Sequence, residues 1–193
     1  ADASTTNYRD KRRLFTAIKT MIITTPSEWL AGKVRQSFLK SYSVYAIPNG
    51  IDLSLFKPVK SNFREKNGLA DKTILLGVAN KWDEKKGISD FVRLSGDLDA
   101  AYQIVLVGVD KNQHLPRNIM RINRTQNLQE LIEIYSAADI YINTSVEETM
   151  GMTTVEALAC GTPVIVYNAT AVPEAVNKTC GVIIEKGDYE SLI

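Results

Sequence analysis

Two carboxylates, Glu148 and Glu156, stand on either side of a Met-Gly-Met in the stretch EETMGMTTVEALACGTPVI, residues 147–165. Glu156 lies among Val155, Ala157, Leu158 and Ala159, a pattern that turns it partly inward, where an unpaired charge is costly unless hydrogen bonds satisfy it. A vicinal diol would supply two hydroxyl donors to one such carboxylate; a solvated helix glutamate is the other reading of the same local pattern. Were the whole stretch helical, the two carboxylates would point about 80° apart. Glu148 precedes the helix, however, so both can face one pocket from different heights. Between them Gly151 permits a close backbone approach. The amides that open the helix at Met152 offer a partial positive charge suited to a phosphate, and Thr153 and Thr154 add hydroxyls in its first turn.

Upstream, LLGVANKWDEKKG places Lys81 and Lys86 directly after an apolar run. Two ammonium groups beside a helix start would neutralise charge as it develops on a diphosphate leaving group. Lys81, Lys85 and Lys86 with Asp83 and Glu84 also read as a solvated charged turn. Trp82 falls close enough to both site lysines to shape a pocket.

These residues need elements to hold them. From residue 72 onward, apolar runs alternate with helical patterns: TILLGVAN, KGISDFVRLSGDL, YQIVLVGV, NLQELIEIYSAA, DIYINTS, MTTVEALAC, PVIVYN, VPEAVN and GVIIEK, with DYESLI opening a further helix. Continuous apolar strands alternating with helices predict an α/β fold, a doubly wound, Rossmann-like parallel sheet covered on both faces. In such a sheet ligands bind beyond the carboxyl ends of the strands, where Glu148, Lys81 and Lys86 all fall. Before this region come a basic amphipathic segment over residues 8–20, a short strand in MIITTP, a helix in SEWLAGKVRQSFLK with Ser27 as its cap, and a strand in VYAIP. The stretch NGIDLSLFKPVKSNFREKNGLA is rich in turn residues, with Pro58 and Asn67-Gly68 marking a linker. The predicted organisation is therefore a remnant of an N-terminal Rossmann-like domain over 1–47, an interdomain linker over 48–70 and a second Rossmann-like domain over 71–193.

Taken together, these blocks resemble the retaining glycosyltransferases of family 4. EETMGMTTVEALACGTPVI matches that family's pattern of a Glu, seven residues and a second Glu, followed by Ala-Cys-Gly-Thr-Pro-Val; NGIDLSLF resembles the opening of its interdomain linker, and TPSEWL the last stretch of its first domain. The resemblance covers nearly the whole chain and implies the C-terminal, donor-binding half of a two-domain GT-B fold with the end of the N-terminal half. It further implies hexosyl transfer from a nucleotide-diphosphate sugar to a saccharide or lipid-linked hydroxyl acceptor, with retention at the anomeric carbon and no obligatory metal or other cofactor. By the same resemblance Glu156 would hold the ribose, Glu148 the hydroxyls of the donor sugar, Lys86 the diphosphate, and the loop around Arg124 would lie near the base. Lys81 stands where the family more often has arginine, which removes bidentate phosphate contact there. Met150 replaces a common Phe.

Composition narrows the alternatives. With 193 residues, 45% of them hydrophobic, and a net charge of +1, the chain is expected to bury a core and has no overall field to steer it to nucleic acid. Cys160 and Cys180 show neither metal-ligand nor disulfide spacing and read as reduced thiols of a cytoplasmic protein. No stretch reaches the ~20 apolar residues of a membrane span. The basic segment near the N-terminus, with Arg9, Lys11, Arg12, Arg13 and Lys19 beside Leu14, Phe15 and Ile18, would suit an anionic lipid surface at the inner face as well as an ordinary protein surface. Polysaccharide biosynthesis is the setting the family suggests. A nicotinamide-dependent oxidoreductase would need three glycines after its first strand, and GVANKW supplies one. A third reading is a nucleotide-sugar-binding module without catalysis, because a transfer site between two domains is not completed by one of them. His114, in the polar loop DKNQHLP, reads as an exposed loop residue, and Asp97 and Asp99 as a solvated carboxylate turn.

Overall fold

The computed structural model describes residues 2–192, and the chain divides into two compact units, residues 1–49 and residues 50–193. In the first, α1 (Ser4–Thr16) is followed by β1 (Ile22–Thr25), α2 (Glu28–Arg35) and β2 (Ser43–Ala46), with the two strands paired in parallel. Ser27 caps α2 as its sequence position predicts: its backbone is extended and its hydroxyl accepts the Leu30 N–H at 3.2 Å. The first helix starts earlier than its apolar pattern suggests, because the Asp2 carboxylate accepts from both the amide and the hydroxyl of Ser4.

The second unit is built on β3 (Thr73–Val78), β4 (Tyr102–Val107), β5 (Ile119–Ile122), β6 (Ile140–Asn143), β7 (Val164–Tyr167) and β8 (Gly181–Ile184). All pair in parallel in the order β5-β4-β3-β6-β7-β8. Two-residue alternation along β3, β4, β6 and β7 divides their side chains between two cores. Ile74 and Leu76 of β3, Val105 and Val107 of β4 and Val164 and Val166 of β7 pack with Ile132, Ile134 and Tyr135 of α5 (Leu128–Ala137) and Ala157 of α6 (Met152–Ala159). Leu75, Ile104, Leu106 and Ile142 point the other way, against Ile88, Phe91 and Leu94 of α4 (Ile88–Asp97). The doubly wound parallel sheet is thus formed from strands that are apolar on both faces.

Three local readings differ from the sequence pattern. The strand β5 was not visible in it: Ile-Met-Arg-Ile is four residues long, lies at the sheet edge and buries only Ile119 fully. The turn-rich stretch before β3 contains a short helix, α3 (Phe63–Lys66), and is part of the second unit, packing against its core through Phe56, Val59 and Phe63. Arg64 fastens it by donating to the carbonyls of Lys72 and Ala137, both at 2.8 Å, and pairing with Asp139 at 2.5 Å. At the other end, Asp188 accepts from Ser191 much as a helix cap would, yet residues 190–192 are turns and the expected helix is not formed among the described residues. Among those residues no helix is long and apolar enough to cross a membrane.

Candidate functional site

The sheet reverses its winding between β3 and β6, which are neighbours in space but not in sequence. The loop leaving β3 runs to α4 on one face, and the loop leaving β6 runs to α6 on the other, so a crevice opens between them at the carboxyl edge. This is where the sequence-predicted residues gather. Asp83 starts the first loop's short helical turn by accepting the amides of Lys85 and Lys86 at 3.0 and 3.1 Å. Two ion pairs then join the loops in register: Lys85 meets Glu147 at 2.5 Å, and Lys86 pairs with Glu148. A backbone bond from Val146 N–H to the Lys85 carbonyl, 2.9 Å, runs beside them. The inner pair is the more sheltered, with the Lys86 and Glu148 side chains 31% and 18% exposed.

Beside this junction lies a cavity of about 790 Å³, walled by the loops that follow β3, β4 and β5 and by one face of α6. Lys81 and Trp82 line it from the first loop, Asn123 and Arg124 from the third, and Thr153 and Glu156 from the helix. Lys81 and Arg124 are exposed at its walls, and Lys81 makes no ion pair among the described residues. Trp82 is fixed, its indole N–H donating to the Val107 carbonyl at 2.8 Å and its ring packing edge-on against Phe91. Gly108, at φ 89°, lets the β4 loop approach the β3 loop: a Cβ there would stand 1.6 Å from the Ala79 carbonyl oxygen.

Glu156 is half-buried in the α6 face of the cavity. Its Oε2 accepts the hydroxyl proton of Tyr135 at 2.9 Å, and among the described residues no group donates to its Oε1. Burial raises its carboxyl above the usual range, and the Tyr135 bond only partly offsets that. Tyr135 is itself fully buried, and burial, with the neighbouring Tyr141 and Glu156, holds its hydroxyl protonated far above its ordinary value. The rings of Tyr135 and Tyr141 meet edge-to-face at 5.9 Å, and the Tyr141 hydroxyl donates to Thr153 at 2.7 Å. Two buried tyrosines thus orient the two α6 side chains that face the cavity.

The remaining predicted residues stand apart from the cavity wall. Thr154 is fully buried and its hydroxyl accepts the Asn143 amide at 2.9 Å, so its side chain serves the packing of α6 on β6. Gly151 opens α6 at φ 78° without a side-chain cap, and Met152 is the first helical residue. Lys86 and Glu148 engage each other at the junction rather than lining the cavity. His114 is exposed, and Asp99 accepts the Ala101 amide in a turn before β4. Sequence reasoning missed Tyr135 and Tyr141, which look like ordinary apolar-face residues of a helix and a strand. It also missed Thr170, whose hydroxyl accepts the Glu148 amide at 3.0 Å.

Residues 72–193 match the family described as glycosyl transferases, group 1. Among curated proteins, the chain is 25% identical to a GDP-mannose-dependent monoacylated alpha-(1-6)-phosphatidylinositol monomannoside mannosyltransferase of Corynebacterium glutamicum, over 89% of this chain and 50% of that protein. Among solved structures, it superposes on sucrose-phosphate synthase of Thermosynechococcus elongatus with a TM-score of 0.79 at 22% identity, covering 100% of this chain and 52% of that one. HepE of Anabaena, solved in complex with UDP-glucose, gives a TM-score of 0.78 at 19% identity, over 98% of this chain and 56% of its own. The chain spans about half the length of each of these proteins. The parallel six-stranded sheet flanked by helices is the fold it shares with these GT-B glycosyltransferases.

Proposed function

This chain belongs to the family of glycosyl transferases, group 1, and we propose that its second unit binds a nucleotide-diphosphate sugar whose hexose is transferred to a hydroxyl acceptor with retention of configuration. The observation that carries this reading is Glu156: one carboxylate oxygen is committed to Tyr135, while the other has no protein donor among the described residues and the side chain lines the cavity. A ribose diol supplies the missing donors. With the ribose there, the base extends toward Asn123 and Arg124 and the diphosphate toward Lys81 and the start of α6, whose first amides have no side-chain cap. Lys86 and Glu148 then stand at the sugar end, Lys86 to offset charge on the departing diphosphate and Glu148 to receive sugar hydroxyls. The acceptor in this reading is a saccharide or a lipid-linked hydroxyl. The relative named for GDP-mannose and the neighbour solved with UDP-glucose supply the first donors to try.

Calorimetric titration of the chain with UDP, GDP, ADP and CDP tests the reading. One nucleotide is expected to bind selectively. A folded protein that binds none of them overturns the donor-site assignment.

A further inference from the structure

The turn after β7 contains the only non-glycine residue with a positive φ among the described residues, Thr170 at 52°. A β-branched residue is a poor choice for left-handed backbone, since its Cβ substituents crowd the following carbonyl. Glycine would adopt that conformation freely. Such strain persists where the surrounding structure imposes it, and it concentrates at functional sites. Here the side chain that causes the strain also makes a specific bond: the Thr170 hydroxyl oxygen accepts the Glu148 N–H at 3.0 Å.

Glu148 needs such a support. It lies in the loop between β6 and α6, which has no regular structure, and its carboxylate is held by Lys86 from the loop after β3. The bond from Thr170 fixes the main chain of Glu148 from a third segment, 22 residues further along. Side chain and backbone are therefore pinned from opposite neighbours in the sheet: β3 through Lys86, and β7 through Thr170. Of the natural residues, glycine relieves the backbone but removes the acceptor, valine keeps the branching but removes the acceptor, and serine keeps the acceptor with less crowding.

We infer that Thr170 is a positioning residue: it tolerates a left-handed backbone so that its hydroxyl can hold the Glu148 amide and thereby set where the Glu148 carboxylate meets the donor sugar. The second half of this inference rests on the donor-site reading; the first half does not. It follows that Thr170 acts on the sugar and not on the nucleotide, whose ribose and base subsites lie at Glu156 and beyond.

The test uses Thr170→Gly, Thr170→Val and Thr170→Ser, each checked by thermal melting. Amide hydrogen exchange at Glu148 is read first, without ligand. Exchange is expected to quicken in the Gly and Val variants and to stay slow in the Ser variant; unchanged exchange in Thr170→Gly overturns the support itself. Affinities are then compared within the pairs UDP-glucose and UDP, and GDP-mannose and GDP. The sugar nucleotide that binds is expected to weaken about fivefold in the Gly and Val variants, the loss of one net hydrogen bond. The matching nucleotide is expected to be unaffected, and Thr170→Ser is expected to restore the wild-type ratio. Equal weakening of sugar nucleotide and nucleotide, or no weakening, refutes the role in sugar placement while the nucleotide site stands. A wild-type sugar nucleotide that binds no differently from its nucleotide refutes it too. A wild-type chain that binds neither these four nor ADP or CDP refutes the donor-site reading and the sugar half of this inference with it, while the exchange measurement still decides the support.

Discussion

Replacing Glu156 by glutamine separates the cost of its charge from the use of its charge. In the unliganded protein the carboxylate accepts one bond, from Tyr135 at 2.9 Å, and a glutamine carbonyl can accept the same bond. Burial raises the Glu156 carboxyl above its ordinary value of 4.5, so folding disfavours the ionised form. The sign follows from linkage: an acid whose folded value is raised gives its full stabilisation while protonated, below its unfolded value, and loses it as pH rises through the folded one. Glutamine does not titrate. The Gln variant is therefore expected to melt at or above the wild type at pH 7, with the gap closing as the pH falls below 4.5. Alanine behaves differently, because it leaves the fully buried Tyr135 hydroxyl without its acceptor, a loss of about 1–3 kcal/mol. Binding runs opposite to stability. Hydrogen bonds to a charged acceptor are worth about 1.5–3 kcal/mol against about 0.5–1.5 for neutral ones, and the glutamine NH₂ cannot accept at all. A ribose diol donating to the oxygen that Tyr135 leaves open should thus lose about 1.5–3 kcal/mol, or roughly 10- to 150-fold in affinity. Calorimetry with the preferred nucleotide, beside thermal melts of all three proteins at pH 4 and pH 7, measures both effects. A Gln variant that binds as tightly as the wild type removes the ribose from Glu156; one that melts well below the wild type at pH 7 shows that the charge itself holds the fold.

Two further outcomes follow from the packing around the site. Gly108→Ala combines a left-handed backbone with a Cβ placed 1.6 Å from the Ala79 carbonyl oxygen, so denaturant unfolding should show a loss of about 2–5 kcal/mol; an unchanged midpoint would show that the β3 and β4 loops can separate. Cys160 is 2% exposed and burial pushes its thiol up to about 11, whereas Cys180 is half-buried. A disulfide reagent at pH 8 should accordingly titrate one thiol quickly in the native protein and both in denaturant, and rapid reaction of two native thiols would contradict the packing of α6.

What could be read in advance divides by the range of the interaction. The strands β3, β4, β6 and β7 are apolar runs that feed two cores at once, and both cores leave the same mark in sequence, whereas β8 is an apolar run at the sheet edge that buries only Ile184. By contrast β5 has one fully buried residue and an arginine in its middle, so its pairing with β4 is a tertiary fact with no local signal. The glutamates and lysines could be picked out because charge beside an apolar strand end or inside an apolar helix is locally odd. Their supports could not. Tyr135 meets Glu156 across 21 residues and Thr170 meets Glu148 across 22, and neither residue type is unusual where it stands. Residues 50–69 were legible as turns but not as packing, because Arg64 reaches carbonyls and a carboxylate brought together only by the folded sheet.

The ion pair at the winding reversal bears on how a donor could be held. Lys86 and Glu148 cancel each other's charge, so between them they offer no net attraction to a diphosphate. Lys81, without an ion-pair partner among the described residues, leaves the group of three with a formal charge of +1. An ammonium has three donors, so Lys86 can keep Glu148 and still reach a phosphate oxygen. A phosphate placed there meets the repulsion of Glu148 in a half-buried setting, where charges interact more strongly than in water. Lys81 and the open amides of α6 are the groups present to outweigh it. On the donor-site reading, this assigns the two lysines unequal work: Lys81 attracts the diphosphate, whereas Lys86 joins it to the carboxylate that receives the sugar. As the sugar separates from the diphosphate on that reading, the negative charge that develops on the leaving group would be met by Lys81 and the α6 amides, with Lys86 adding one further hydrogen bond beside the carboxylate.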